Sequence, residues 1–304
     1  MRALVDQPIG PHVARAGRLA DRVSRELGLP TPALVRASMN AIYTSGPAVI
    51  RVARTSVDPV VAIDLARHLI DNDLPVVEPF CDGSFASTDQ DGPESPRLAA
   101  TVWRRIELDH SAVPDWSAVG RAVKLLHGFE VGAVERLHPL PDAVEFPWWK
   151  VPETLRTIDP STARILRPVW DRLAPHLERV RHRPTVVVHG DLHPGNVVVE
   201  RGTGRTLILD WDLLARCDGT WDHAPLMRWS QRWGGREGDY EDFARGYGRD
   251  FRDDDVAEGL ADLRLVVATV MRVRAAITDP RARAEAARRV RYWRGSDESM
   301  WSAV

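Results

Sequence analysis

The chain has only two cysteines, Cys81 and Cys217, and neither lies in a recognisable metal-binding or nucleophile motif. A disulfide framework is thereby excluded, and a reducing cytosol suits the composition. Excess charge is also missing, since 41 Lys and Arg stand against 43 Asp and Glu, a formal net charge of -2. That near balance gives no global field for nucleic acid or an acidic membrane, so neither is expected as a partner. Long apolar runs are absent: even residues 265–271 are far too few to cross a bilayer. Residues 1–18 carry Asp6, Pro8, Gly10 and several arginines and lack the apolar core of a signal peptide, which makes a cytoplasmic protein the expectation. There is no internal repeat, no coiled-coil heptad pattern and no Gly-x-Gly-x-x-Gly run near the N-terminal strands. What remains, over 304 residues, suffices for one large domain or two lobes with a substantial core.

The polar chemistry is concentrated in residues 186–212, VVVHGDLHPGNVVVERGTGRTLILDWD. Two β-branched runs, 186–188 and 197–199, flank a loop holding His189, Gly190, Asp191, His193, Pro194, Gly195 and Asn196. A third apolar run, 207–209, ends at Asp210. Runs this short and this branched predict strands, with residues 201–204 turning between the second and third. Polar groups therefore gather at strand ends, where a scaffold presents its chemistry.

Asp191 and Asn196 lie in one tight loop, and Asp210 closes the neighbouring strand. Hard oxygen donors of this kind suit Mg²⁺, which takes one or two carboxylates and completes its shell with water and phosphate. With Asn196 and Asp210 on the metal, Asp191 is free to orient or deprotonate a hydroxyl that attacks a phosphate, the division of labour of phosphoryl transfer. A competing reading makes His189, Asp191 and His193 a Zn²⁺ cluster of a metal-dependent hydrolase, because alternate residues of a strand share a face. It leaves Pro194, Gly195 and the pairing of Asn196 with Asp210 without a role. A third reading is a nucleotide-binding protein without catalysis; its expected mark, loss of Asp191 or Asp210, is missing.

The segment His189-Gly190-Asp191-Leu192-His193-Pro194-Gly195-Asn196, followed by Ile208-Leu209-Asp210-Trp211-Asp212, resembles the catalytic loop and metal motif of the aminoglycoside phosphotransferase and choline kinase-like small-molecule kinases. These are similar in fold to protein kinases. The resemblance implies an α+β, bilobal protein kinase-like fold. A small β-rich N-lobe over residues 1–102 would bind nucleotide, and a larger, mainly helical C-lobe over residues 103–304 would carry catalysis and substrate. It further implies Mg²⁺-dependent transfer of the γ-phosphoryl of ATP or GTP to a hydroxyl of a small molecule, such as an aminoglycoside or amino sugar. In that scheme Asp191 is the catalytic base, His189 braces its loop, and Asn196 and Asp210 are the Mg²⁺ ligands. Nothing in the sequence sets the oligomeric state.

Residues 13–27 carry a helical apolar stripe that Gly28, Pro30 and Pro32 end. Residues 34–43 and 48–52 predict two strands joined at 44–47, with alternation turning Arg51 away from the face of its apolar neighbours. By the resemblance Arg51 meets the nucleotide phosphates where many members have Lys; a guanidinium clamps phosphate bidentately and with fixed charge. Its acidic partner is expected from the helix at residues 60–70, where Asp64 is the only acid. Ser38, in the turn Ser38-Met39-Asn40, is expected to meet the phosphates together with backbone amides. Residues 83–96 predict a turn or loop. The strand at residues 98–106 becomes, by the resemblance, a hinge whose backbone around Trp103, Arg104 and Ile106 bonds adenine.

Asp115 predicts the start of a helix that closes on His127, read as a structural histidine, and residues 161–181 predict a further helix. Past Asp210, Asp212 is placed to assist Mg²⁺ or contact substrate. Asp222 matches an acid that anchors the catalytic loop's backbone from beneath. Trp211, Trp221, Trp229 and Trp233, with acids nearby in sequence, read as core fillers beside solvated carboxylates in preference to a pocket for a cationic substrate. Residues 262–276 predict a buried apolar helix, and the arginines of residues 282–293 are expected to face water. No Ala-Pro-Glu segment follows Asp210, which argues against a kinase acting on peptides.

Overall fold

The computed structural model describes residues 9–37, 39–54, 59–87, 97–146 and 150–302. Its strands are β1 (Ala33–Ala37), β2 (Ala41–Ser45), β3 (Ala48–Arg54), β4 (Pro79–Ala86), β5 (Leu98–Arg104), β6 (Val186–Val188), β7 (Val197–Val199), β8 (Thr206–Ile208) and β9 (Ala215–Cys217). Two compact units share them: the first comprises residues 1–114, 132–139 and 197–213, the second residues 115–131, 140–196 and 214–304. A boundary at residue 103 assigns β7 and β8 to a C-terminal lobe, whereas they pack within the first unit. Chain order does not reveal this, because a hairpin carried on a return loop can join a core laid down much earlier.

In the first unit, helices α1 (Val13–Glu26) and α2 (Val60–Asp71) accompany an antiparallel sheet of order β1-β2-β3-β5-β4. Ala16, Leu19, Ala20 and Val23 recur at helical spacing along α1 and are buried with Ile50, Val52, Leu98, Ala100 and Val102 of the sheet. Burial alternates along β3, so Ile50 and Val52 face this core while Arg51 points to the other face. The stretch 34–43 is not one strand: β1, ending at Ala37, and β2, beginning at Ala41, pair antiparallel with each other. All of β1 is exposed, so no buried face holds those residues in a continuous strand. Strand β4 likewise runs past Gly83 to Ala86, absorbing an irregularity in its pairing with β5 between Pro79 and Ser84. The predicted loop's remaining residues, 88–96, lie outside the described residues. The hairpin β7–β8 is tied on by parallel bridging of Ile208 to Val76 and antiparallel bridging of Glu200 to Leu108.

In the second unit, α3 (Trp116–His127) starts where the Asp115 carboxylate accepts from the Ala118 amide at 2.9 Å. The chain passes through α4 (Val131–Glu135), most of which belongs to the first unit, and returns with α5 (Val151–Thr154); the predicted helix at 161–181 is two, α6 (Pro160–Leu173) and α7 (Pro175–Arg181), because Pro175 cannot donate to the helical ladder. Then follow α8 (Thr220–Met227), α9 (Trp229–Trp233), α10 (Asp239–Tyr247), α11 (Asp255–Thr278) and α12 (Arg283–Trp293). Helices α3 and α10 touch through glycines: a Cβ on Gly120 would lie 2.1 Å from the Phe243 carbonyl oxygen, and one on Gly246 2.0 Å from that of Ser117. Strand β6 pairs with β9, not with β7, so the two valine runs flanking the polar loop belong to different ladders. The arginines of α12 do not all face water either. Arg289 is buried, bonding Glu285 at 2.8 Å and the carbonyls of Ala268 and Ser302 at 3.0 and 2.6 Å. Three acceptors offset its desolvation.

Candidate active site

Strand β6 delivers the chain to His189, Gly190 and Asp191, and the first turn of α8 holds that segment from below. Asp222 is fully buried and accepts from the amides of His189 (2.7 Å) and Gly190 (3.0 Å) and from His127 Nε2 (3.1 Å). His127 is in turn 3.0 Å from the Tyr247 hydroxyl, and the Trp221 indole donates to the Gly190 carbonyl at 3.0 Å. Gly190 has φ of 88°, a conformation that a side chain would strain. Burial pushes the Asp222 carboxyl up, yet its hydrogen bond to His127, the charges of His127 and His189 and the loop amide bonds outweigh this, so it titrates below the ordinary carboxylate range.

This clamp presents Asp191 at the rim, one-third exposed. Its amide donates to His189 Nδ1 at 3.3 Å, and its carbonyl accepts from Asn196 Nδ2 at 3.0 Å. Its carboxylate Oδ1 accepts from Arg264 Nη2 at 2.5 Å, while Oδ2 lies 3.7 Å from His193 Nε2. Burial raises this carboxyl, but Arg264, His193 and His189 together hold it below the ordinary range and therefore ionised at neutral pH. His193 stacks on Trp229, ring centroids 5.4 Å apart. The zinc reading fails here. His189 is buried with Nδ1 engaged by the Asp191 amide, and no group of three His, Cys, Asp or Glu side chains suited to a metal occurs among the described residues.

The first unit holds the other predicted residues. Arg51 is mostly buried and ion-paired with Asp212, and the Asn40 amide oxygen, in the orientation that satisfies both groups, accepts from its Nη2 and Nε at 2.8 and 2.9 Å. Burial lowers the Arg51 pKa, and the charge of Asp210 opposes that. Asp210 itself is exposed with φ of 61°, a left-handed conformation that Asp tolerates better than most residues, and the chain turns there from β8 towards Asp212. The expectation for Asp64 is corrected: it lies on the exposed face of α2, and the carboxylate that Arg51 meets is Asp212. Ser38 lies outside the described residues.

At the predicted hinge, Trp103 remains inside the sheet opposite Val49 and Pro79. The Arg104 amide is engaged by the Glu78 carbonyl at 2.9 Å and its guanidinium by Glu200 at 2.6 Å, so neither is left for a nucleotide. Ile106 differs. Its neighbours are tied down, Arg105 N to Pro47 O at 2.8 Å and Glu107 O to Arg201 N at 2.7 Å, but among the described residues no hydrogen bond engages its own main chain.

Three participants escaped the sequence reading. Arg264 has a detectable signal, a charge set between Leu263 and Leu265 on an apolar stretch of its helix. Asn40 and Tyr247 have none, since both contacts depend on strand register and helix packing. The acids near the tryptophans are largely neutralised: Arg252 meets Glu241 and Asp250, and Arg245 meets Asp242. Trp221 is buried, as a core filler is.

A family model described as the phosphotransferase enzyme family matches residues 42–265. A search of curated proteins finds no match. Among solved structures, the AMP-bound spectinomycin phosphotransferase APH(9)-Ia is similar at TM-score 0.63 and 14% identity, covering 90% of this chain and 93% of that one. A choline/ethanolamine kinase family protein from Mesorhizobium loti reaches TM-score 0.61 at 16% identity, with coverage of 93% and 94%. The GDP complex of the aminoglycoside 2'-phosphotransferase-IIIa F108L mutant reaches 0.64 at 14% identity, with coverage of 93% and 97%. These likenesses establish an α+β, protein kinase-like fold. With three-quarters of its length inside the matched span, the chain belongs to the phosphotransferase enzyme family and is a small-molecule phosphotransferase.

Proposed function

We propose that the protein transfers the γ-phosphoryl group of ATP or GTP to a hydroxyl of a small molecule, an amino sugar or aminoglycoside being the first class to test. The observation that carries this reading is Asp191: an ionised carboxylate held at the rim of a clamped loop, one oxygen fixed by Arg264 and the other left for a hydroxyl. In the reaction the acceptor O–H proton passes to Asp191 Oδ2 as the acceptor oxygen bonds to the γ-phosphorus. The bond from that phosphorus to the bridging oxygen breaks, and its electron pair leaves with the nucleoside diphosphate. Asp222 and His189 keep the loop in place. Arg51 supplies fixed positive charge for the phosphates. Ile106, whose main chain no hydrogen bond engages among the described residues, is the hinge residue suited to bond a base edge.

The donor chemistry fits Mg²⁺. Asn196 donates through Nδ2 to Asp191 O, which leaves its side-chain oxygen for a cation, and Asp210 is an exposed carboxylate. Mg²⁺ held by Asn196 and Asp210 would neutralise charge on the triphosphate. Similar structures are described as complexes of ADP with spectinomycin and of GDP with kanamycin, which supports a nucleotide donor and a small hydroxylated acceptor. The test is a screen of aminoglycosides, amino sugars, choline and nucleosides for release of ADP or GDP, alongside thermal-shift titration with Mg²⁺ and each nucleotide. Acceptor-stimulated release is expected. A protein that binds neither nucleotide and turns over no acceptor would overturn the proposal.

A further inference from the structure

Arg264 sits in the middle of α11, between the buried Leu263 and Leu265 and followed by the buried Val266. It is itself only 14% exposed. A guanidinium in such surroundings is costly unless its charge is used. Its carboxylate partner among the described residues is Asp191, reached across 73 residues of sequence, and its guanidinium lies over the face of Trp221 at 5.9 Å.

The form of the contact is informative. A guanidinium can grip both oxygens of one carboxylate, as Arg183 does with Asp254 at 2.8 and 2.8 Å. Arg264 takes only Oδ1 of Asp191. The main chain of Asp191 is already fixed by His189 and Asn196, but rotation of the carboxylate about its last bond is broad and roughly two-fold unless something holds it. His193 at 3.7 Å is too far to do so by a hydrogen bond. Fixing Oδ1 therefore leaves Oδ2 as the oxygen that meets the acceptor hydroxyl.

We propose that Arg264 is a positioning residue for phosphoryl transfer, holding the Asp191 carboxylate so that Oδ2 takes the acceptor's proton; the proposal rests on the phosphotransferase reading above. Its action runs entirely through Asp191. It contributes to kcat and not to nucleotide affinity.

The test compares wild type, Arg264→Met, Arg264→Lys, Asp191→Asn and the double variant Asp191→Asn/Arg264→Met. The readouts are hydrolysis of MgATP with water as acceptor, transfer to the most active compound of the hydroxyl screen, ADP affinity and thermal melting. R264M is expected to lose about 100-fold in kcat, the scale of a misplaced catalytic group, with ADP affinity within about twofold of wild type. R264K should recover part of the loss by restoring a donor. In the D191N background R264M should cost less than about twofold, since two residues acting as a unit are not additive. Wild-type kcat in R264M, or equal losses in both backgrounds accompanied by a lower melting temperature, would overturn the role of Arg264 alone. Wild-type protein with no turnover of MgATP towards water or any acceptor would overturn the phosphotransferase reading, and this inference with it.

Discussion

Asp222, in the second unit, is fully buried and accepts from two loop amides and His127, whereas Asp212, in the first, is 11% exposed and meets a single guanidinium. Both support residues assigned to the same reaction, but by different physics. The catalytic loop is fixed from inside a core, where leaving any partner of Asp222 unsatisfied costs the full desolvation of that group. Arg51 lies beside Asp212, Asn40 and Asp210 at a strand end and a turn, where hydrogen bonds exchange more easily with water and ligand. The first arrangement builds rigidity into the loop that carries Asp191. The second leaves the charge of Arg51, proposed above to meet phosphate, free to re-pair when a ligand arrives.

The sharpest way to break this comparison is to separate chemistry from structure in the rigid half. Asp191→Asn should reduce turnover by about 1,000-fold, within the range of general-base catalysis, while melting temperature and ADP affinity stay near wild type. Steady-state kinetics and thermal shift read both, and equal turnover would remove Asp191 as base. Asp222→Ala should do the opposite in kind, costing about 3 kcal/mol of stability because His127 and two amides lose a buried charged acceptor. A urea melt checks it, and an unchanged midpoint would mean that the clamp contributes no rigidity.

A third prediction uses His223, fully buried among Phe243, Tyr247 and Phe251 at 4.5 to 4.8 Å between ring centroids. Burial pushes its pKa down to about 3 from 6.5. The folded state therefore keeps it neutral while the unfolded chain takes up a proton below about 6.5. Its contribution is intact above that value and falls by about 1.4 kcal/mol per pH unit as pH drops towards the folded value. Urea midpoints between pH 7 and 5 should show this slope, and His223→Phe should flatten it. An unchanged slope in the variant would place the acid sensitivity elsewhere.

The local chemistry was largely legible in the sequence, and the long-range pairings were not. Short β-branched runs marked β6, β7 and β8 because strand preference is local. The turn at residues 201–204 announced the β7–β8 pairing, but the partner of β6 was hidden, since three valines carry no information on whether they join Ala215–Cys217 or a neighbouring run. The same limit explains Arg51. Alternation along β3 gave its face, but its acid came from Asp212, some 160 residues on by direct count of the chain, in place of the nearby Asp64. Arg264 was visible as a charge flanked by two leucines, and only packing shows that Asp191 is what it meets.

The smallest expected effect sharpens the comparison from its adjustable side. Arg51→Met should weaken affinity for MgATP by about tenfold, or about 1.4 kcal/mol, a modest loss because a single charged contact at a partly exposed site is removed. Thermal-shift titration with MgATP reads it. The kcat at saturating nucleotide should change far less than in the Asp191 variant, since Arg51 would bind the phosphates in ground and transition states alike. If Arg51 instead serves only to tie down Asp212 and Asn40, the variant will melt earlier and bind MgATP as wild type does. That outcome would make both halves structural clamps. A loss of affinity with little change in melting would confine the clamp to the catalytic loop.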